Sequence, residues 1–438
     1  RLRDAGFDVA IATHEPFAGV VRASGLGFHP LPGDPRAWAQ SQGSGSGSGS
    51  GDGEGEAGAA VLGKIQDAHR ETGAAIVAAA RAGTDLMLLG ALAVPLGYQV
   101  AEAVGVPSMG VHLQPTEPTR DFPSVFVPGS LGGWGNRASH KVAGTLFDVW
   151  LAGGVKQLRA DLGLAPQSLR AMQKRMRREA WPIHCGFSEA VIPRPADWRP
   201  GVEVVGYWWP DHPGAWAPSP ELEAFLAAGP PPVFVGFGSL GTEGERLGEL
   251  VPAALRQAGV RGVIQAGWGG LVASGDDMLS IGEAPHDRLF PHMAAVVHAA
   301  GAGVVAAGLQ AGLPAVPVPV GLDQPFWGQR LVALGAAPDS IPAKKLTVER
   351  LAAAVRAVVS DPCYTKAAGA IGVDVAFGSV HADDVGRDVE HHGGLDFVRV
   401  GAGGLGLDLA ALDIDTLEQH WQQAKLRAHH PHAPLRLL

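Results

Sequence analysis

The chain has 438 residues, too many for one ordinary hydrophobic core, and this predicts two domains. Its 46% hydrophobic and 18% charged residues describe a well-buried globular protein, and 62 glycines with 34 prolines suit many short connections. A net charge of −9 excludes the basic field needed for nucleic acid or an anionic membrane. Two distant cysteines, Cys185 and Cys363, exclude a disulfide framework and a zinc spacing, so a cytoplasmic location is expected.

In chain order, residues 1–5 read as the tail of an amphipathic helix, Gly6 as its C-cap and 7–12 as a buried strand. The Gly/Ser run 42–56 can bury nothing and reads as a flexible loop. A helix over 62–82, a strand over 85–90, a helix over 94–104 and a strand over 107–113 follow. That alternation predicts a parallel α/β sheet. Residues 114–140 read as loop, and 141–162 and 166–179 as helices. The stretch 192–220 is too apolar for a solvated linker and too proline-rich for a helix, so a packed connection is expected.

The alternation restarts at Pro231, with strands at 232–237, 262–267, 278–282, 294–298 and 314–318. Helices are expected at 244–258, 302–311, 325–334 and 347–359. Residues 294–321 lack any Asp, Glu, Lys or Arg, but a membrane span needs about 20 unbroken residues. Pro314, Pro317 and Pro319 would break one, so strand, turn, helix and strand are expected there. From about 372 the rhythm is lost and His381, His391, His392, His420, His429, His430 and His432 accumulate. A solvated tail without a metal site is expected, because ligands on a frayed terminus lack supporting contacts.

The fold class expected is α/β, with two Rossmann-like doubly wound domains facing each other across a cleft. The first would cover 1–191, a connection 192–230, the second 231–371, and an atypical tail 372–438. Ligands in such sheets bind at the carboxyl ends of strands. Three distinctive loops stand there in the second domain: GFGSLGT (236–242), HAAGAG (298–303) and GLDQPFWG (321–328). Ser239 can donate to a phosphate oxygen, and the free N–H groups of a helix beginning after Gly301 attract an anion. Each feature has a plainer explanation. The glycines can serve packing, His298 can be a satisfied core histidine, and Asp323 can cap the next helix.

Taken together, residues 283–331 resemble the donor-site signature of GT-B glycosyltransferases, in the natural-product and sterol 3-β-glucosyltransferase-like group. Residues 193–210 and 105–125 are similar to that group's stretch before the second domain and to its acceptor-domain strand and loop. The resemblance covers residues 1 to about 371. It implies that His298, the backbone of Gly301, Ala302 and Gly303, and Ser239 hold the diphosphate of a nucleotide sugar. Asp323 and Gln324 would hold sugar hydroxyls, and Trp268 with the backbone near Ala284–His286 would flank the base. Phe122, Phe126 and Trp134 would line an acceptor pocket, with ordinary core packing as the alternative.

The chain departs from the family's pattern at Ala300, where glycine is usual, at Val304 and Val305, where hydroxyl residues are usual, and at Gln310. The resemblance further implies that the family's first strand and its proton-accepting Asp or His precede Arg1. His14 is the nearest stand-in, or another residue of the acceptor pocket. The function expected is inverting transfer of a hexose, from a donor such as UDP-glucose or a TDP-sugar, to a hydroxyl of a lipophilic acceptor. A sterol, polyketide or macrolide would serve, with no cofactor or metal, no nucleic acid and no membrane span. The alternatives are a nucleotide-sugar binder without turnover and a nucleotide-sugar epimerase, which would need its own acid and base carboxylates.

Overall fold

The computed structural model describes residues 2–3, 6–34, 54–127, 129–209, 216–238, 244–267, 270–273, 275–377 and 436–437. The first half runs β1 (Asp8–His14), α1 (Ala18–Ala23), β2 (Gly27–Leu31), α2 (Glu54–Arg81), β3 (Met87–Leu89), α3 (Val94–Val104) and β4 (Ser108–His112). It continues with α4 (Gly132–Asp161), α5 (Leu169–Arg178), β5 (Ile183–Cys185), β6 (Val202–Val204) and α6 (Pro220–Ala227). The second half runs β7 (Val233–Gly236), α7 (Gly244–Ala258), β8 (Gly262–Gln265), β9 (Met278–Ile281), α8 (His286–Leu289), β10 (Ala295–His298) and α9 (Ala302–Gln310). It ends with β11 (Ala315–Pro317), α10 (Gln324–Ala333), α11 (Val348–Ser360) and α12 (Pro362–Phe377), and β12 (Arg436–Leu437) lies far beyond.

All strand pairs among the described residues are parallel. Parallel strands bury both faces, and this explains why β7, β10 and β11 are short apolar runs rather than alternating ones. The second sheet has the order β11-β10-β7-β8-β9. Strands of the first half lie in two sheets, β12-β1-β2 and β3-β4-β5-β6. Leu2, Leu86, Met109, Val111 and Trp208 pack with Val9 and Leu88, so a common apolar cluster joins the two pieces.

Several expectations are corrected. Helix α4 begins at Gly132, nine residues or so before the expected start, despite three glycines in its first four positions. The Asn136 side chain bonds the Leu131 N–H and the Arg120 carbonyl, and Ser139 Oγ accepts the Ser124 N–H. These side chains lash the 120–131 loop onto the helix and offset its poor propensity. The expected connection 192–230 contributes β6 to the first sheet and also holds α6. The helical rhythm runs past 371, to Phe377.

Residues 294–321 fold as β10, α9 and β11, and no described helix is long and apolar enough to cross a membrane. Much of the Gly/Ser run and nearly all of the His-rich tail lie outside the described residues. Among the described residues no group of three His, Cys, Asp or Glu forms a metal site.

Candidate active site

Strand order in the second sheet reverses between β7 and β10, and the crevice at such a reversal is where α/β sheets bind ligands. His298, the last residue of β10, pairs with Gly236 of β7 and Pro317 of β11. All three loops singled out in the sequence therefore leave the same edge of one sheet. Ser239 and Trp268 lie outside the described residues.

His298 is fully buried. Its Nδ1 accepts the Ala300 N–H at 2.9 Å, so the neutral ring carries its proton on Nε2. Burial pushes its pKa down to about 3, helped by His286, and the ring is neutral at ordinary pH. Nε2 has no partner among the described residues. The histidine is thus only half satisfied by the core.

Helix α9 starts at the N-cap Gly301 with no side chain capping it, and its first intrahelical bond joins Val305 N–H to the Gly301 carbonyl. The N–H groups of Ala302, Gly303 and Val304 have no partner within the helix, and the helix dipole adds positive potential there. Together with Nε2–H of His298, this set suits an anion. The His286 ring is committed elsewhere: it stacks on Phe290 at 4.5 Å, and burial lowers its pKa to about 4.

Asp323 precedes α10 but its side chain caps nothing. Instead Oδ2 accepts Gln114 Nε2 at 3.1 Å and Trp327 Nε1 at 3.0 Å. Gln324 Oε1 accepts the N–H groups of Val320 at 2.9 Å and Gly321 at 3.3 Å. That leaves Asp323 Oδ1 as an acceptor beside the Gln324 amide as a donor, a pair matched to neighbouring hydroxyls.

Across from these residues the first half contains a cavity of about 310 Å³. Its wall is mostly apolar, with Leu151 from α4 and Met172 and Met176 from α5, and Leu322 and Asp323 close it from the second half. Phe126 lines it, whereas Phe122, Trp134 and His14 lie outside the wall. Phe122 packs against Trp198 and, 5.5 Å away, Phe326 of α10, so it joins the halves. Trp134 is 86% exposed. His14 ends β1, with a buried Nδ1 that lacks a partner.

Sequence reasoning missed His112 and Gln114, although both stand at the carboxyl end of a predicted strand, the position that could have flagged them. Leu151, Met172 and Met176 gave no such signal, because helical apolar spacing reads as core.

The fold agrees with that of known proteins. The C-terminal domain of the erythromycin biosynthesis protein CIII-like family matches residues 270–382. The O-mycaminosyltylonolide 6-deoxyallosyltransferase of Streptomyces fradiae is 33% identical over 86% of this chain and 88% of its own length. A sterol 3-beta-glucosyltransferase of Arabidopsis thaliana is 32% identical over 84% of this chain, which spans only 58% of that relative. Among solved structures, glycosyltransferase VinC in complex with DTDP superposes with a TM-score of 0.55 at 21% identity, covering 85% of this chain and 89% of VinC. The chain belongs to the GT-B glycosyltransferases, in the family that holds the sterol 3-beta-glucosyltransferases and the Streptomyces 6-deoxyallosyltransferase.

Proposed function

We propose that the protein transfers a hexose from a nucleotide-diphosphate sugar to a hydroxyl of a lipophilic acceptor, with inversion. The observation that carries this reading is the shared position of Asp323. It stands at the ligand-binding edge of the second sheet and also closes an apolar cavity in the first half. A sugar held by Asp323 and Gln324 would face an acceptor seated in that cavity. Diphosphate would lie on the start of α9 and His298 Nε2–H, where charge on the departing phosphate is stabilised without reorganisation. One in-line attack by the acceptor oxygen on the anomeric carbon, with the hydroxyl proton passing to a general base as diphosphate leaves, inverts that carbon. The complex of VinC with DTDP favours a thymidine nucleotide, and the relatives' names favour a sterol or macrolide-like acceptor. The two free cysteines suit a cytoplasmic enzyme.

The test combines binding and transfer. Calorimetry on His298→Ala should show nucleoside diphosphate binding weakened by about 1.5–3 kcal/mol, as for a hydrogen bond to a charged group. Asp323→Ala should weaken binding of the nucleotide sugar far more than that of the bare nucleotide. Incubated with UDP-glucose or TDP-glucose and a steroid alcohol, a version carrying the family's first strand and proton-accepting loop ahead of Arg1 should yield the β-glucoside. Equal loss of both ligands in Asp323→Ala, or sugar release to water alone, would overturn the reading.

A further inference from the structure

A buried histidine stands among the residues that line the cavity. His112 ends β4, is 4% exposed and lines the cavity. Its Nδ1 lies 2.8 Å from Thr116 Oγ1, which leaves Nε2 buried without a hydrogen-bond partner. The ring folds back along its strand. A Cβ placed on Gly110 would stand 2.8 Å from His112 Nε2, 3.1 Å from Trp181 and 3.2 Å from Ile183. Gly110 therefore leaves the space that Nε2 fills, on the Trp181–Ile183 side of the cavity. The backbone runs the other way, to Gln114, which meets Asp323. Nε2 and the Asp323 carboxylate thus lie in opposite directions along the strand from His112, on one cavity.

Buried polar atoms in folded proteins nearly always have a partner, so an unpaired nitrogen in a ligand-sized space points to a ligand atom. Burial, with the Arg199 guanidinium adding to it, pushes the His112 pKa down to about 4. The imidazole is neutral, and it suits a neutral oxygen rather than a carboxylate. The Thr116 hydroxyl can donate or accept, so Nε2 can accept from a hydroxyl or donate to a ketone.

We infer that the acceptor carries a second oxygen, a hydroxyl or ketone remote from the hydroxyl that receives the sugar, and that His112 Nε2 hydrogen-bonds it at the cavity floor. This rests on the reading of the cavity as the acceptor site. His112 is then the residue that selects the acceptor and sets which of its ends faces the sugar. A lipid with a single hydroxyl would leave Nε2 unpaired and bind less well. Gly110 belongs to the same device, since any side chain there would displace the ring.

The experiment is calorimetry on the full chain with two steroid alcohols identical except for an oxygen on the ring farthest from the reacting hydroxyl. The wild type should bind the oxygenated steroid about tenfold more tightly, the effect of one buried hydrogen bond. His112→Phe should abolish that preference and keep nucleotide affinity unchanged. His112→Gln, with an amide at a similar reach, should restore part of it and guards against a folding defect in the first variant. Equal binding of the two steroids to the wild type, or a preference kept in His112→Phe, would overturn the inference alone. Failure of both steroids to bind would overturn the acceptor-site reading with it.

Discussion

Ala300 holds a left-handed backbone, φ +60°, in the turn that carries the chain from β10 into α9. Its N–H is the donor that fixes the His298 ring, so the turn cannot relax without releasing the histidine. Leu322, beside Asp323, has φ +56°. Two of the three described non-glycine residues with positive φ therefore sit in the loops proposed to hold the donor, and strain concentrates at functional sites. The conformation costs an L-residue roughly 1–2 kcal/mol, and a glycine would return about 0.4–1 kcal/mol through unfolded-state entropy. The substitution also removes a fully buried methyl, worth about 0.8 kcal/mol, so Ala300→Gly should leave stability within about 1 kcal/mol of the wild type in urea titration, with the nucleotide still bound. A loss well beyond that would mean that the turn is not strained. The departure from the family's glycine was legible in the sequence, but its backbone cost was not, because φ is set by the path of the chain.

The cavity owes its shape to three helices held by one ionic cluster. On α3, Glu102 accepts Arg159 of α4 at 2.9 Å and Arg175 of α5 at 2.7 Å. Arg159 also bonds Gln99, and Arg175 lies over the Tyr98 ring. Hydrogen bonding to Arg175, opposed by burial and reinforced by Arg159, lowers the Glu102 pKa from 4.5 to about 2. A depressed carboxylate contributes its stability in full above about pH 4.5, and that contribution fades as pH falls toward 2. Glu102→Gln should cost about 3 kcal/mol at neutral pH, since it leaves the buried Arg159 without its countercharge. The variant should also lose stability less steeply than the wild type between pH 4.5 and 2 in denaturant titrations. Parallel pH profiles would show that the cluster is not the titrating element.

Elements of the second half were legible because each pairs an apolar run with a glycine or proline boundary, as at β7 to α7 and β10 to α9. β5 and β6 were not, since three-residue strands next to prolines and tryptophans give no periodicity. The loops of the donor edge could be read from their glycines and charged or amide residues. The cavity could not, because its wall is assembled from helices whose inner residues look like any core.

The two halves meet through α10. Phe326 touches Phe122, Trp327 lies against Phe187 at 6.1 Å, and Arg330 bonds the Val191 carbonyl. A second polar contact of this seam is the hydrogen bond between Gln114 and Asp323. Gln114 belongs to the cavity wall and Asp323 to the edge proposed to take the sugar, so the two groups are tied together. On the proposed reading that contact would couple the two substrates, and by linkage whatever factor the nucleotide sugar lends to acceptor affinity, the acceptor must lend back. An acceptor packed against Gln114 immobilises the amide that orients Asp323, and the sign of the cooperativity is positive. Calorimetry with each ligand at saturating concentrations of the other should give the same factor in both directions, reduced toward unity in Gln114→Leu. Equal cooperativity in the variant would place the coupling elsewhere. On this reading each substrate would prepare the seat of the other. A sugar donor bound alone would then be spared hydrolysis until its acceptor arrives.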